Sequence, residues 1–202
     1  MIRWLGLSLV VAIGCGDDDG GAVDAASGVD SGTADSAVEV TCSDLAPTGG
    51  GLVISEVRAG SYIELYNATG SPVDLGASED WLCARPGYQM LSSISDAVVP
   101  PQGYVQLAWP SGFPGEDAGG EMALYSSRDF GDADAMFDYV CWGAGLATNR
   151  ASVAEEAGLW SGDCTPAISG ESIQRRPGVG GLEAADYDVA SPATPADGCT
   201  AE

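Results

Sequence analysis

The chain contains no histidine and no lysine, so any chemistry it performs must rest on carboxylates, amides, aromatic rings and thiols. Ser-His-Asp and Cys-His nucleophile activation are excluded, as is His-ligated zinc or iron. Neither a Cys-x-x-Cys pair, a GxSxG elbow nor a GxxxxGKS/T phosphate loop is present. Three groups of side chains keep suggestive types and spacing. Asp132, Asp134 and Asp138, in DADAMFD, are hard oxygen donors of the kind Ca²⁺ collects six to eight of, and Glu116, Asp117 and Glu121 could add to them. The spacing lacks the order and the closing bidentate Glu of an EF-hand loop, and solvated loop charge is the competing reading. Glu56 and Glu64 could work as acid and base if held about 5 to 9.5 Å apart across a cleft. Alternatively, Glu64 and Asn67 hydrogen-bond loop backbone at a strand end. Trp81, Trp109, Trp142 and Trp160 suggest a sugar-stacking surface. Trp142 and Trp160 read better as core, and Trp109, ahead of Pro110 in a Gly/Pro loop, is the exposed one.

The elements that must position these residues are mostly short strands. LVISEV (52–57) and YIELYN (62–67) alternate apolar with polar residues, the period of a strand with one buried face, and Gly60-Ser61 is a turn between them. Further strands are predicted at Val73–Leu75, Trp81–Ala84, Tyr104–Ala108, Met122–Tyr125, Phe137–Trp142 and Ser172–Arg175. Gly, Pro, Asp and Ser punctuate the gaps. This spacing predicts an all-β sandwich or barrel. SVAEEAGLW (152–160) breaks the pattern: Val153, Ala157 and Trp160 fall at i, i+4, i+7, and Ser152 and Glu155 have capping-box spacing. One short helix is expected there, with Val153 and Trp160 against the sheets. Gly178-Val179-Gly180-Gly181 reads as a loop.

Seven arginines stand against thirty acidic residues, for a net charge of −23. Such a balance argues against nucleic acid or an anionic lipid surface as partner, because phosphate neutralisation needs clustered cations. Arg175-Arg176 is the sole basic doublet and reads as solvated charge at a strand end.

At the start, an apolar run from Trp4 to Ile13 follows the single positive residue Arg3. It is about half the length of a membrane span and has the size of an export-signal core. Residues 16–41 then hold neither aromatic nor cation, so they cannot bury enough surface to offset their ordering entropy and are expected to be disordered. As a flexible coil this stretch would reach ~28 Å, and ~90 Å fully extended. Between the two lies Ala12-Ile13-Gly14-Cys15, which resembles the lipobox of bacterial lipoproteins, with Ala12 where the family usually has Leu. The resemblance implies cleavage before Cys15 and acylation of that residue. Residues 1–14 are then a signal peptide, 15–41 a lipidated disordered tether and 42–202 a domain held off a membrane. Gly16 after the Cys favours the outer membrane, on its periplasmic side or at the cell surface.

Leu52-Val53-Ile54-Ser55-Glu56-Val57, Tyr62-Ile63-Glu64-Leu65-Tyr66-Asn67 and Ser71-Pro72-Val73-Asp74-Leu75, in that order, are similar to the opening of the lamin-tail domain. Val99-Pro100-Pro101-Gln102-Gly103-Tyr104 and Asp138-Tyr139-Val140-Cys141-Trp142-Gly143 resemble its later strands. The resemblance covers roughly residues 50 to 145 and implies an immunoglobulin-like β-sandwich that is generally non-catalytic. It departs from the family in a segment between Gly143 and Gly170 and in Cys141. In an exported domain disulfides are favoured. A Cys141–Cys164 bridge is predicted, since it would clamp that segment to its own strand. Cys42 and Cys199, at the two ends of the domain, are the second candidate pair, which leaves Cys83 reduced. The functional expectation is a lipid-anchored envelope module that binds or holds a protein or glycan, without a cofactor. A calcium-dependent adhesion module and a carboxylate-based hydrolase are the alternatives.

Overall fold

The computed structural model describes residues 51–144, 150–168, 170, 172–176 and 178–190. Cys15, Cys42, Cys199 and the expected signal peptide and tether lie outside the described residues. What is described is mostly antiparallel sheet with few, short helices. Strands β1 (Leu52–Arg58), β2 (Tyr62–Asn67), β7 (Tyr104–Ala108), β10 (Ser172–Arg175) and β11 (Tyr187–Ala190) form one sheet in the order β11-β10-β1-β2-β7. A second sheet has the order β5-β4-β8-β9, from β4 (Trp81–Ala84), β5 (Gly87–Met90), β8 (Gly119–Tyr125) and β9 (Met136–Gly143). The two-residue strands β3 (Val73–Asp74) and β6 (Val98–Val99) pair beside them.

The two large sheets share one apolar core. Ile54, Val57, Ile63 and Leu65 come from the first sheet, and Leu82, Met122, Leu124, Val140 and Trp142 from the second; all are nearly inaccessible to water. Burial of this kind is the main term favouring the fold. The β1–β2 hairpin closes where expected, with Ser61 N–H donating to the Arg58 carbonyl at 3.0 Å and Gly60 at φ 70°. Positive φ is why glycine stands there.

Three expectations need correction. Alternation in β1 and β2 marks which face meets the core, not which face meets water. Val53, Glu56, Tyr62, Glu64 and Tyr66 point away from the core cluster and are buried as well. The expected helix over 152–160 is α2, Ala151–Glu156, and it has no capping box: Arg150 is the N-cap and makes no side-chain cap bond. Gly158, at φ 70°, ends the helix with Gly158 N–H donating to Glu155 O and Leu159 N–H to Ala154 O. That is a Schellman cap, and it outweighs the apolar periodicity that runs on to Trp160. Nor is α2 the sole helix, because Leu91–Ile94 forms a one-turn α1 and two short 3₁₀ turns occur at Leu75–Ala77 and Ala184–Asp186.

Candidate functional site

Of the three candidate calcium ligands, Asp138 goes to the interior and the other two to the surface. Asp132 and Asp134 are exposed on the turn before β9, where Asp132 Oδ1 accepts the Asp134 N–H at 3.0 Å. Asp138 is buried on the core side of β9. Its two oxygens take Arg175 Nη2 at 2.6 and 2.8 Å, and Oδ2 also accepts the Ile54 N–H at 2.5 Å. Ile54 lies beyond the last β1–β10 register pair, Glu56 with Gln174, so its N–H needs a partner from elsewhere. Burial pushes the Asp138 carboxyl upward and the Arg175 guanidinium opposes that push. Asp117 accepts the Gly170 N–H at 3.0 Å, and Glu121 is buried. Among the described residues no three acidic, Cys or His side chains are grouped to hold a metal ion. Asp138 lies in the strand predicted at Phe137–Trp142, observed from Met136 to Gly143, and obeys strand alternation instead of the loop geometry a calcium site needs.

Arg175 also departs from expectation, while its neighbour does not. Arg175 is 6% exposed, donates to Tyr187 Oη at 3.0 Å and to Gly180 O at 3.2 Å, and lies over the Tyr187 ring. Arg176 is solvated and pairs with Asp188 on the outside. One position along a strand reverses the face. The signal available in the sequence was the apolar Ile173 two residues earlier.

Glu56 and Glu64 are brought together as cross-strand partners in the β1–β2 register, on the face away from the core. A bulge at Ser55 turns that residue to the same side, and Ser55 Oγ donates to Glu64 Oε1 at 2.8 Å. Tyr62 Oη donates to Glu56 Oε1 at 2.5 Å. The row continues across all five strands as Asp188, Gln174, Glu56, Glu64 and Gln106. Asn67 is a structural hub: Nδ2 donates to the carbonyls of Ser71, Val99 and Pro100, and Oδ1 accepts from Thr69.

A cavity of about 660 Å³ opens at one end of the two sheets. Leu52, Val73, Phe137, Leu159 and Leu182 contribute to its apolar wall, and Asp80, Asp138 and Arg175 are its charged lining. Its size and apolar lining fall in the range of small-molecule sites. Neither Glu56 nor Glu64 lines it.

The face of the second sheet turned away from the first carries Cys83, Glu121, Ala123, Tyr125, Tyr139 and Cys141, by the register of β4, β8 and β9, and it is buried as well. Cys141 is bonded to Cys164, with Cα atoms 5.0 Å apart, as expected. Thr165 donates to the Cys141 carbonyl and Trp160 packs edge-on against Tyr139, so the 150–168 segment covers the β8–β9 half of this face. Glu121 Oε2 accepts the Arg150 N–H at 2.6 Å and the Tyr139 hydroxyl at 3.0 Å, while Oε1 is buried without a partner. Burial pushes the Glu121 carboxyl up, against those two donors. Cys83 is a free, buried thiol, raised to about 12 by burial and the Glu121 charge. Trp142 and Trp160 are core; Trp109 is half-buried, with its indole N–H donated to Phe113 O at 3.3 Å.

Comparison with protein-family models, with curated proteins and with solved structures returns no match.

Proposed function

We propose that this chain is a non-catalytic binding or structural module of a bacterial cell envelope. It is an immunoglobulin-like sandwich of the lamin-tail kind, held to a membrane through lipid on Cys15. The observation that carries this reading is the commitment of Asp138, Glu56, Glu64 and Asn67 to the fold. Asp138 serves Arg175 and Ile54, Glu56 serves Tyr62, Glu64 takes Ser55, and Asn67 staples the carbonyls of Ser71, Val99 and Pro100. Groups so engaged hold strands together; a general acid or base must instead be free to exchange a proton with substrate.

The two halves of the proposal are tested separately. Radiolabelled palmitate should enter the protein in a bacterial host, and Cys15→Ser should abolish both the label and membrane partition. Equal partition of the Cys15→Ser form would remove the anchor. The purified protein should turn over no nuclease, esterase, peptidase or glycosidase substrate. A hydrolytic rate that disappears in Glu64→Gln would replace the module with a carboxylate hydrolase.

A further inference from the structure

Two arginines bracket a strip of three partly exposed aromatic rings over the β4–β5 half of the second sheet's far face. The strip is continuous: Arg128 Cζ lies 5.1 Å from the Trp81 ring centroid, and Trp81 meets Phe130 edge-on at 5.8 Å. Phe130 stacks on Tyr88 at 4.2 Å, and Tyr88 Oη accepts from Arg150 Nη2 at 3.1 Å. Trp81, Tyr88, Phe130 and Arg150 are all partly exposed, and Arg128 is exposed. Trp81 and Tyr88 share this face because Trp81 is opposite Tyr125, and Tyr88 opposite Cys83, in the sheet register. Phe130 folds onto them from the β8–β9 connection.

Charge makes this placement informative. The chain has seven cations against thirty acids. Arg175 and Arg176 pair with Asp138 and Asp188, whereas Arg128 lies over the Trp81 ring and Arg150 donates to Tyr88 Oη with the buried Glu121 and Cys83 beside it. Arg150 Nε is buried without a hydrogen-bond partner. A chain this acidic has placed two of its few positive groups at the ends of one aromatic strip. Beside the rings runs β5, the edge strand of its sheet, whose outer backbone N–H and C=O groups offer both donors and acceptors.

We infer that this strip binds a short acidic saccharide. The apolar C–H faces of the sugar rings would rest on Trp81, Phe130 and Tyr88, their carboxylates would meet Arg128 and Arg150, and their hydroxyls the β5 edge. A long polyanion fits worse, because the net charge of −23 repels it beyond the reach of two guanidinium groups. Screening over roughly 8 Å at physiological salt leaves the local attraction at the strip intact. The inference rests on the binding-module reading and supplies its ligand class.

The experiment titrates the full-length protein with tetragalacturonate and with the fully methyl-esterified tetramer, following tryptophan fluorescence and calorimetry. The acid should bind and perturb fluorescence, and the ester, which keeps the rings and loses the charge, should bind about tenfold more weakly, as expected for losing charge-assisted hydrogen bonds. Arg128→Gln, a change at an exposed side chain, should lower affinity for the acid about tenfold while leaving the ester and the thermal midpoint unchanged. Equal binding of acid and ester, an unaffected Arg128→Gln, or equal binding of a glutamate peptide of the same charge would each overturn the saccharide assignment. Failure of the tetramer to bind at millimolar concentration would also overturn it, and would leave the module reading standing. Release of new reducing ends from the tetramer would instead refute the non-catalytic reading.

Discussion

Asp138 on β9 and Arg175 on β10 form a buried ion pair at 2.6 Å that ties the two large sheets together through the core. Removing one partner leaves a charge in the interior. Asp138→Asn should therefore cost about 3–5 kcal/mol in urea unfolding. Asp138→Asn combined with Arg175→Met should recover much of that loss, since the stranded charge is gone and Asn still accepts the Ile54 N–H. A double variant as unstable as the sum of the two single changes would show that the pair is not the cause.

Gly181 offers a second view of the same arginine. A Cβ there would stand 2.5 Å from both Nε and Cζ of Arg175 and 2.7 Å from Tyr187 Oη, on a backbone at φ 72°. Gly178 has the same φ and open space around it. Gly178→Ala should cost on the order of 1 kcal/mol from the backbone alone. Gly181→Ala should cost a further ~1–3 kcal/mol from overpacking. Equal losses in the two variants would mean that Arg175 moves aside freely.

The Cys141–Cys164 bridge closes a loop of sequence separation 23. Replacing both cysteines with alanine should lower stability by about 3 kcal/mol through the unfolded chain's regained freedom. Limited proteolysis should then cut first within 150–168. Unchanged cleavage would mean that Trp160 and Thr165 hold the segment without the bridge.

Cys83 should stay unmodified by maleimide in the native protein and become labelled on unfolding, as read by mapping the peptide that contains it. Its burial denies access, and a thiol raised to about 12 holds almost no thiolate at neutral pH. Rapid native labelling at Cys83 would show that the packing over β4 opens readily.

Glu121 makes stability depend on pH in a definite direction. Burial raises its carboxyl above the ordinary 4.5, so in the window above 4.5 the folded state binds more protons than the unfolded one. Stability from this group is therefore present at low pH and is lost as pH rises through the folded-state value. Glu121→Gln should flatten that decline. A difference between wild type and Glu121→Gln that stays constant from pH 4 to 8 would sink the assignment.

Much of the strand order was legible in the sequence, because alternation and turn residues act locally. Trp81–Ala84, Tyr104–Ala108 and Ser172–Arg175 lie where the pattern puts them. So does the Cys141–Cys164 bridge, whose chemistry needs only two thiols and a segment to clamp. Gly87–Met90 and Tyr187–Ala190 escaped notice, since Gly-Tyr-Gln-Met and Tyr-Asp-Val-Ala alternate too briefly to signal without their sheet partners.

Composition by itself determined which chemistries are closed to this chain: without histidine or lysine, carboxylates, arginines and rings must do whatever is done. The destination of each charge was a tertiary decision. Asp132, Asp134 and Asp138 look alike in sequence, yet the third faces Arg175 across the core because strand pleating turns it inward. Arg128 and Arg150 are 22 positions apart by number, and they come to one aromatic strip because the β8–β9 connection and the start of α2 return to the same sheet face. Local propensity sets an element; only pairing between distant strands sets which residues meet.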